Sequence, residues 1–364
     1  MKILNIVGTR PNFIKIAPIM EQMLQSPAIT PFLLHTGQHY DDNMSRVFFD
    51  QLGIPKPDLD LGVGSESNVN QIGEILKRVD PVLEQEKPDA VLVVGDVNST
   101  MACALAASYR KVPVVHVEAG LRSFDRSMPE EINRIITDRL SSLLFVTEKS
   151  GVDNLVREGT APEKIHFVGN VMVDTLLKHR DLAEKNSRIL EKLQLEQDRF
   201  AVVTLHRPSN VDRVGVLKSI LEAIQKLSEE LKVVFPVHPR TRKKIRELNL
   251  EHIIESFSLT DPLPYLDMVR LMSQARLVLT DSGGIQEETT ILNIPCITIR
   301  EHTERPITIE KGTNLLSGEQ GEGVWLLARN VLRFGSKKGS VPDLWDGKAS
   351  DRIVKILSSW TPSG

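Results

Sequence analysis

Apolar runs of four to seven residues recur along this chain, each closed by a turn and followed by a longer stretch with apolar residues at helical spacing. Six runs occupy the first half, at 2–8, 32–36, 90–95, 112–117, 143–147 and 165–169, and five the second, at 200–205, 233–237, 253–257, 277–280 and 294–299. Strands that are apolar on both faces and alternate with helices belong to parallel sheets covered on both sides. The pattern predicts two Rossmann-like, doubly wound α/β domains that together hold a ligand in a central cleft. The stretch 171–199 is charged and helical without a strand-like run, and 335–340 reads as a solvated loop before a last amphipathic helix at about 350–357. The expected domains are 1–170 with 351–364, and 171–350. No repeat of solenoid period interrupts this order.

In open parallel sheets, ligands bind beyond the carboxyl ends of the strands, and there the sequence is rich in chemistry. The run 277–280 empties into Asp281-Ser282-Gly283-Gly284 and a helical stretch. Ser282, Gly283 and Gly284 let backbone N–H groups approach an anion, with the positive end of the following helix behind them. Glu288, a helical turn further on, is placed to accept hydrogen bonds from the two hydroxyls of a ribose. A nucleoside diphosphate fits this arrangement. The other exits of the second half carry His206-Arg207, His238-Pro239-Arg240 and Arg300 to Arg305, mainly cations. The first half supplies Arg10 and Lys15 but mainly carboxylates: Asp96, Glu118 and the pair Glu130-Glu131. Carboxylates near a bound sugar are natural general acids and bases. Pro129 followed by two acids is also an ordinary helix start, a reading that suits Glu131 as well as a catalytic one.

Composition narrows the partners. With 364 residues, 41% hydrophobic and 26% charged, the chain can build two cores. A formal net charge of -3 with interspersed signs leaves no basic stripe, so nucleic acid is not an expected partner. Cys103 and Cys296 each sit in an apolar run and read as buried thiols of a reducing compartment. The apolar start at 3–7 is too short for a membrane or signal segment, so a soluble cytoplasmic protein without a membrane partner is expected. The nine His residues show no helical ligand spacing, and no Gly-x-Gly-x-x-Gly follows a strand, so neither a metal nor a nicotinamide cofactor is expected.

Taken together, Gly8-Thr9-Arg10-Pro11 with Lys15, Gly95-Asp96, His116-Val117-Glu118-Ala119-Gly120-Leu121-Arg122, Pro129-Glu130-Glu131-Ile132-Asn133-Arg134, Asp281-Ser282-Gly283-Gly284-Ile285-Gln286-Glu287-Glu288 and Thr303-Glu304-Arg305-Pro306 resemble the non-hydrolysing UDP-N-acetylglucosamine 2-epimerases across almost the whole chain. The resemblance implies a fold like that of the B-type glycosyltransferases, with the last helix returning to the first domain. It implies a homodimer that interconverts UDP-N-acetylglucosamine and UDP-N-acetylmannosamine without a cofactor, supplying precursors of surface polysaccharides. Carried over by position, it makes Asp96, Glu118, Glu130 and His206 catalytic. Arg10, Lys15, Ser282, Gly283, Gly284, Glu288 and Arg305 would bind UDP. Met268 would contact the uracil, although it reads equally as a core methionine.

Many bacterial members carry His-Arg-Arg-Glu-Asn where this chain has His206-Arg207-Pro208-Ser209-Asn210. The change removes an Arg and a Glu from a region associated with activation by a second UDP-sugar, with Gln38, His39 and His238 left as contributors. It also leaves room for a diacetamido or uronic sugar. Arg122, Arg207 and Arg240 are the spare cations for a carboxylate, though each reads first as a solvated or structural Arg. A glycosyltransferase of the same fold using a UDP-sugar donor is the other alternative. For it, several carboxylates in the first half are more than one base requires.

Overall fold

The computed structural model describes residues 1–37, 52–64 and 66–362. Two compact units divide the chain, Met1–Leu177 with Asp343–Gly364, and Lys178–Pro342. Helices of eight or more residues are numbered below.

The first unit is built on a seven-stranded sheet of β1 (Lys2–Val7), β2 (Thr30–His35), β3 (Leu59–Asp60), β4 (Ala90–Val94), β5 (Val114–Ala119), β6 (Leu143–Val146) and β7 (Ile165–Phe167), in the order β3-β2-β1-β4-β5-β6-β7, with every pair parallel. Its helices are α1 (Arg10–Gln25), α2 (Asn68–Glu86), α3 (Asn98–Tyr109), α4 (Pro129–Leu140), α5 (Lys149–Arg157) and the start of α6 (Val171–Asn186). Parallel crossovers are right-handed, so α1, which leads from β1 outward to β2, covers one face, while α2, α3 and α4 pack in series on the other. The last helix, α12 (Ala349–Ser359), lies against α1. Residues 343–350 and the first turns of α6 belong here because they are bonded here. Buried Asp174 accepts from the amides of Ala349 at 3.1 Å and Ser350 at 2.7 Å, and buried Trp345 donates to the Thr147 carbonyl at 2.9 Å.

The second unit repeats the plan with six parallel strands, β8 (Phe200–Thr204), β9 (Lys232–Pro236), β10 (Ser258–Thr260), β11 (Leu277–Thr280), β12 (Cys296–Thr298) and β13 (Asn314–Leu316), in the order β10-β9-β8-β11-β12-β13. Its helices are α7 (Val214–Ser228), α8 (Pro239–Glu247), α9 (Tyr265–Ser273), α10 (Gly283–Leu292) and α11 (Gly321–Phe334). One core cluster joins α7 and α11 to the sheet, and another, with Phe200, Val234, Leu271 and Met272, covers the opposite face.

The run 253–257 is not a strand. Ile253, Ile254 and Phe257 enter the core at helical spacing from a short 3-10 turn, Glu251–Ile253, and the strand begins afterwards at Ser258. The edge strands β3 and β13 had no sequence signal, since two or three residues cannot establish a period. Among the described residues, no helix is long and apolar enough to cross a membrane.

Candidate active site

Strand order reverses between β1 and β4 in the first unit and between β8 and β11 in the second, and a doubly wound sheet opens a crevice at such a point. Nearly all the candidate residues lie at these two places, and each unit is described by itself.

In the first unit, Asn12 closes the turn from β1 into α1. Its Oδ1 accepts from the Gly8 and Thr9 amides at 3.2 and 3.1 Å, and its Nδ2 donates to the Val94 carbonyl at the end of β4, at 3.0 Å. That lock sets Arg10, half-exposed, at the first turn of α1 and turns Lys15 inward. Lys15 Nζ is in direct ion contact with Glu118, and both side chains are buried. A regular strand would send His116 and Glu118 to the same face of the sheet. Instead, the β5–β6 register slips between Val117 and Ala119, and Glu118 takes φ +75°. The bulge leaves His116 toward α4 and turns Glu118 toward α1 and Lys15, a re-aiming that β-bulges commonly perform. A left-handed Glu costs about 1–2 kcal/mol, which the surrounding contacts must offset. Gly95 makes the space: at φ +69°, a Cβ there would lie 3.0 Å from Lys15 Nζ.

Asp96, the next residue, is bonded to Arg134 at 2.5 Å, and its carbonyl accepts from Asn133 Nδ2 at 2.9 Å. Arg134 is itself buried and paired with Glu131 at 2.7 Å. Glu131 also accepts from the Ser123 and Phe124 amides at 2.9 and 3.0 Å. Burial pushes its pKa up, but these amides and Arg134 bring it below the usual range. Glu131 is thus a brace for the loop before α4. Glu130 is half-buried and makes no side-chain hydrogen bond or ion pair among the described residues. Arg122 is fully engaged, by Asp138 at 2.7 Å and by two bonds of 2.8 Å to Glu158.

In the second unit, buried Asp281 ties the ends of β11 and β8 together. It accepts from the His206 amide at 3.0 Å, the Arg207 amide at 2.9 Å and Asn210 Nδ2 at 3.2 Å, and it meets the His206 ring Nδ1 at 2.8 Å. Burial would raise its pKa, yet the His206 charge and these donors hold it at about 2. His206 stays partly exposed, with the His238 ring 5.8 Å away. Ser282 caps α10, and Gly283 begins it. Beneath that first turn lies a knot of charge. Arg305 pairs with Glu287 at 2.8 Å and Glu304 at 2.5 Å, and Arg300 reaches Glu304 at 2.6 Å. Arg207 approaches Glu304 at 3.6 Å. Burial opposes ionisation of Glu304, but the three guanidinium groups drive its pKa well below the usual range. A Cβ on Gly283 would stand 2.4 Å from the Arg305 guanidinium, so only glycine admits this packing.

Gly284 follows within the same turn, and Glu288 lies one turn beyond. Glu288 is buried and accepts from the Tyr265 hydroxyl at 3.0 Å. Burial raises its pKa to about 7, with the Glu287 charge adding to the rise and Tyr265 working against it. Met268 packs against the core cluster of Phe200 and Leu271, and its amide donates to the Pro264 carbonyl at 3.0 Å. Arg240 pairs with Asp212 on the surface. Gln38 and His39 lie outside the described residues.

The structure therefore brings Lys15, Glu118 and Asp96 to one switch point, with Arg10 and Glu130 on the helices that start there. It brings His206, Ser282, Gly283, Gly284 and Arg305 to the other, with Glu288 a turn away. Reasoning from sequence missed Asn12, Asp138, Tyr265, Glu287 and Asp281 as organisers. Among the described residues, no group of three His, Cys, Asp or Glu could hold a metal ion.

The family model described as UDP-N-acetylglucosamine 2-epimerase matches residues 21–358. A UDP-N-acetylglucosamine 2-epimerase of Methanocaldococcus jannaschii is 43% identical, over 98% of this chain and 99% of that protein. A UDP-2,3-diacetamido-2,3-dideoxy-D-glucuronate 2-epimerase of Pseudomonas aeruginosa is 41% identical, over 98% and 99%. The solved M. jannaschii enzyme in complex with UDP-GlcNAc and UDP superimposes with a TM-score of 0.92 at 42% identity, covering 99% of this chain and 100% of that one. The two parallel-sheet domains are those of a B-type glycosyltransferase fold.

Proposed function

This chain belongs to the UDP-N-acetylglucosamine 2-epimerase family, and we propose that it interconverts UDP-N-acetylglucosamine and UDP-N-acetylmannosamine by eliminating UDP and adding it back. The C2 hydrogen of such a sugar is not next to a carbonyl, so its direct removal is very costly. In the proposed route the C1–O bond breaks and its electron pair leaves with UDP. A base takes the C2 proton, and a C1–C2 double bond forms, giving a 2-acetamidoglucal. The diphosphate oxygen then adds to C1 while an acid delivers a proton to the other face of C2.

The observation that carries this reading is the division of chemistry between the two switch points. The second unit offers the first turn of α10 above three guanidinium groups, with His206 beside it. Such preorganised donors stabilise a departing diphosphate as its charge develops. Ser282, Gly283, Gly284, Arg305 and His206 would serve that group, and Glu288 the ribose. The first unit offers Asp96 and Glu118, each a carboxylate held by a cation, and Glu130, which has no ion pair among the described residues, as groups for the two faces of C2. Arg10 and Lys15 would complete the anion's surroundings, and Met268 the base pocket. We propose a homodimer, as the resemblance implies.

A diacetamido uronate is the second reading, favoured by the P. aeruginosa relative. Against it, Arg122, Arg207 and Arg240 are each engaged by protein carboxylates. The decisive experiment is incubation with UDP-N-acetylglucosamine alone in deuterated water, following C2 by NMR. Reversible conversion to the manno isomer with solvent deuterium at C2 is expected. Accumulation of that isomer with its original C2 hydrogen intact would refute the route, and no reaction without an acceptor would favour a transferase.

A further inference from the structure

We propose that His116 is a positioning residue for the C2 chemistry, holding the Gly95–Asp96 peptide in register with the bulged exit of β5. The proposal rests on the reading that Asp96 acts on the substrate.

His116 is wholly buried, with Nδ1 2.6 Å from Asp138 Oδ1 and Nε2 2.8 Å from the Gly95 carbonyl. A carbonyl oxygen only accepts, so Nε2 carries a hydrogen. Burial works against an ionised Asp138, yet Arg122 and the Gly120 amide hold it as a carboxylate, so it accepts from Nδ1. The second Asp138 oxygen accepts from the Gly120 amide at 3.1 Å and pairs with Arg122 at 2.7 Å. An unbroken line of bonds therefore runs from the Gly95 carbonyl through His116 and Asp138 to Gly120. It joins the two strand exits that carry Asp96 and Glu118.

Gly95 needs this tether more than another residue would. Its φ of +69° and its lack of a side chain widen the torsions open to the following peptide, which sets the direction of Asp96 together with the bonds from Asn133 and Arg134. A buried ion pair is a poor way to gain stability, because an apolar pair of similar volume often does as well. Its value here is orientation, as with the groups behind a metal or catalytic ligand.

Two substitutions separate orientation from stability. The His116→Gln amide can reach Gly95 from the place of Nε2, whereas the His116→Asn amide can reach only Asp138. Both variants should lower the melting temperature to a similar degree and leave KM and UDP affinity within about twofold of wild type. A shift of about 1 Å in a reacting group can cost about 100-fold in rate, so kcat for C2 exchange should fall about 100-fold in His116→Asn and less than about tenfold in His116→Gln. Equal kcat in the two variants, or losses that follow the melting temperature alone, would overturn the proposal. If His116→Asn does not fold, His116→Ser takes its place. It cannot reach Gly95, so exchange should again fall about 100-fold with UDP affinity kept, and exchange within about tenfold of wild type overturns the role. An Asp96→Asn control tells the two failures apart. Wild-type exchange in that control removes Asp96 from the site and this proposal with it. Abolished exchange there, beside indistinguishable His116 variants, overturns the positioning role alone.

Discussion

Replacing Glu288 with glutamine separates what the side chain costs the fold from what it would give the ligand. Burial holds the Glu288 carboxyl at about 7 against an ordinary 4.5. Between those values the folded protein keeps a proton that the unfolded chain has released, so stability falls as pH rises through the window and the penalty is complete above it. The shift corresponds to about 3 kcal/mol. Glutamine stays neutral and still accepts from Tyr265, so whatever its amide costs or gains does not depend on pH. Urea unfolding of both proteins at pH 5 and pH 8 should therefore show their stability difference moving by about 2–3 kcal/mol in favour of Glu288→Gln at the higher pH, since part of the penalty is already present at pH 5. Other titrating groups, such as Asp174, whose pKa burial also raises, are common to both and cancel. In the proposed role a ribose diol would donate to the ionised carboxyl, so UDP binding should release a proton and weaken as pH drops below about 7. The variant should bind UDP more weakly with a flat profile in calorimetry. Parallel pH–stability curves, or unchanged UDP affinity, would refute the reasoning.

Two further outcomes follow from the packing. Gly283→Ala places a methyl group 2.4 Å from the Arg305 guanidinium and must push it off Glu304 and Glu287, so UDP affinity should fall at least about tenfold, with about 1–3 kcal/mol lost in unfolding. Unchanged binding would show that UDP affinity does not rely on Arg305. Glu130→Gln should lower C2 exchange about 100-fold with an unaltered melting temperature, whereas Glu131→Gln should cost about 1–3 kcal/mol of stability, because buried Arg134 loses one of its two carboxylates and keeps Asp96. The reverse assignment would follow if the two phenotypes were exchanged.

Most of the doubly wound plan was legible because a buried parallel strand announces itself as a continuous apolar run, and ten of the eleven runs became strands. The run 253–257 failed because its apolar residues serve a helical turn, and no count of β-branched residues reveals that. Helix α4 held a readable signal that went unused. Glu131, Arg134 and Asp138 recur at helical spacing and are buried, while Ile132 is 45% exposed, so the usual rule of apolar residues inside is inverted along that helix. A polar stripe turned inward marks a site as surely as a Gly-rich turn. The turn of Glu118 was not legible at all. Its φ of +75° depends on tertiary contacts, among them Gly120, where a Cβ would lie 2.4 Å from the Gly151 carbonyl.

The two units resemble each other in how they hold their strand exits, and this explains which residues sequence reasoning passed over. In the first, Asp138 takes the Gly120 amide and the His116 ring; in the second, Asp281 takes the His206 and Arg207 amides and the His206 ring. Each buried carboxylate binds a histidine and the backbone at the exit of a neighbouring strand. Asp138 and His116 are 22 residues apart, and Asp281 and His206 are 75 apart. Local patterning carries no trace of pairings at such distances, since each Asp looks like an ordinary polar residue in its own segment. The groups that would touch substrate stand on small-residue turns, where close approach leaves a mark in the sequence. The groups that hold those turns become visible only when the sheet brings distant segments side by side. A carboxylate fully buried at a switch point and engaged by backbone amides is therefore an anchor first, and the half-buried side chains nearby, here Asp96, Glu130 and His206, are the ones that a ligand would meet in the proposed reaction.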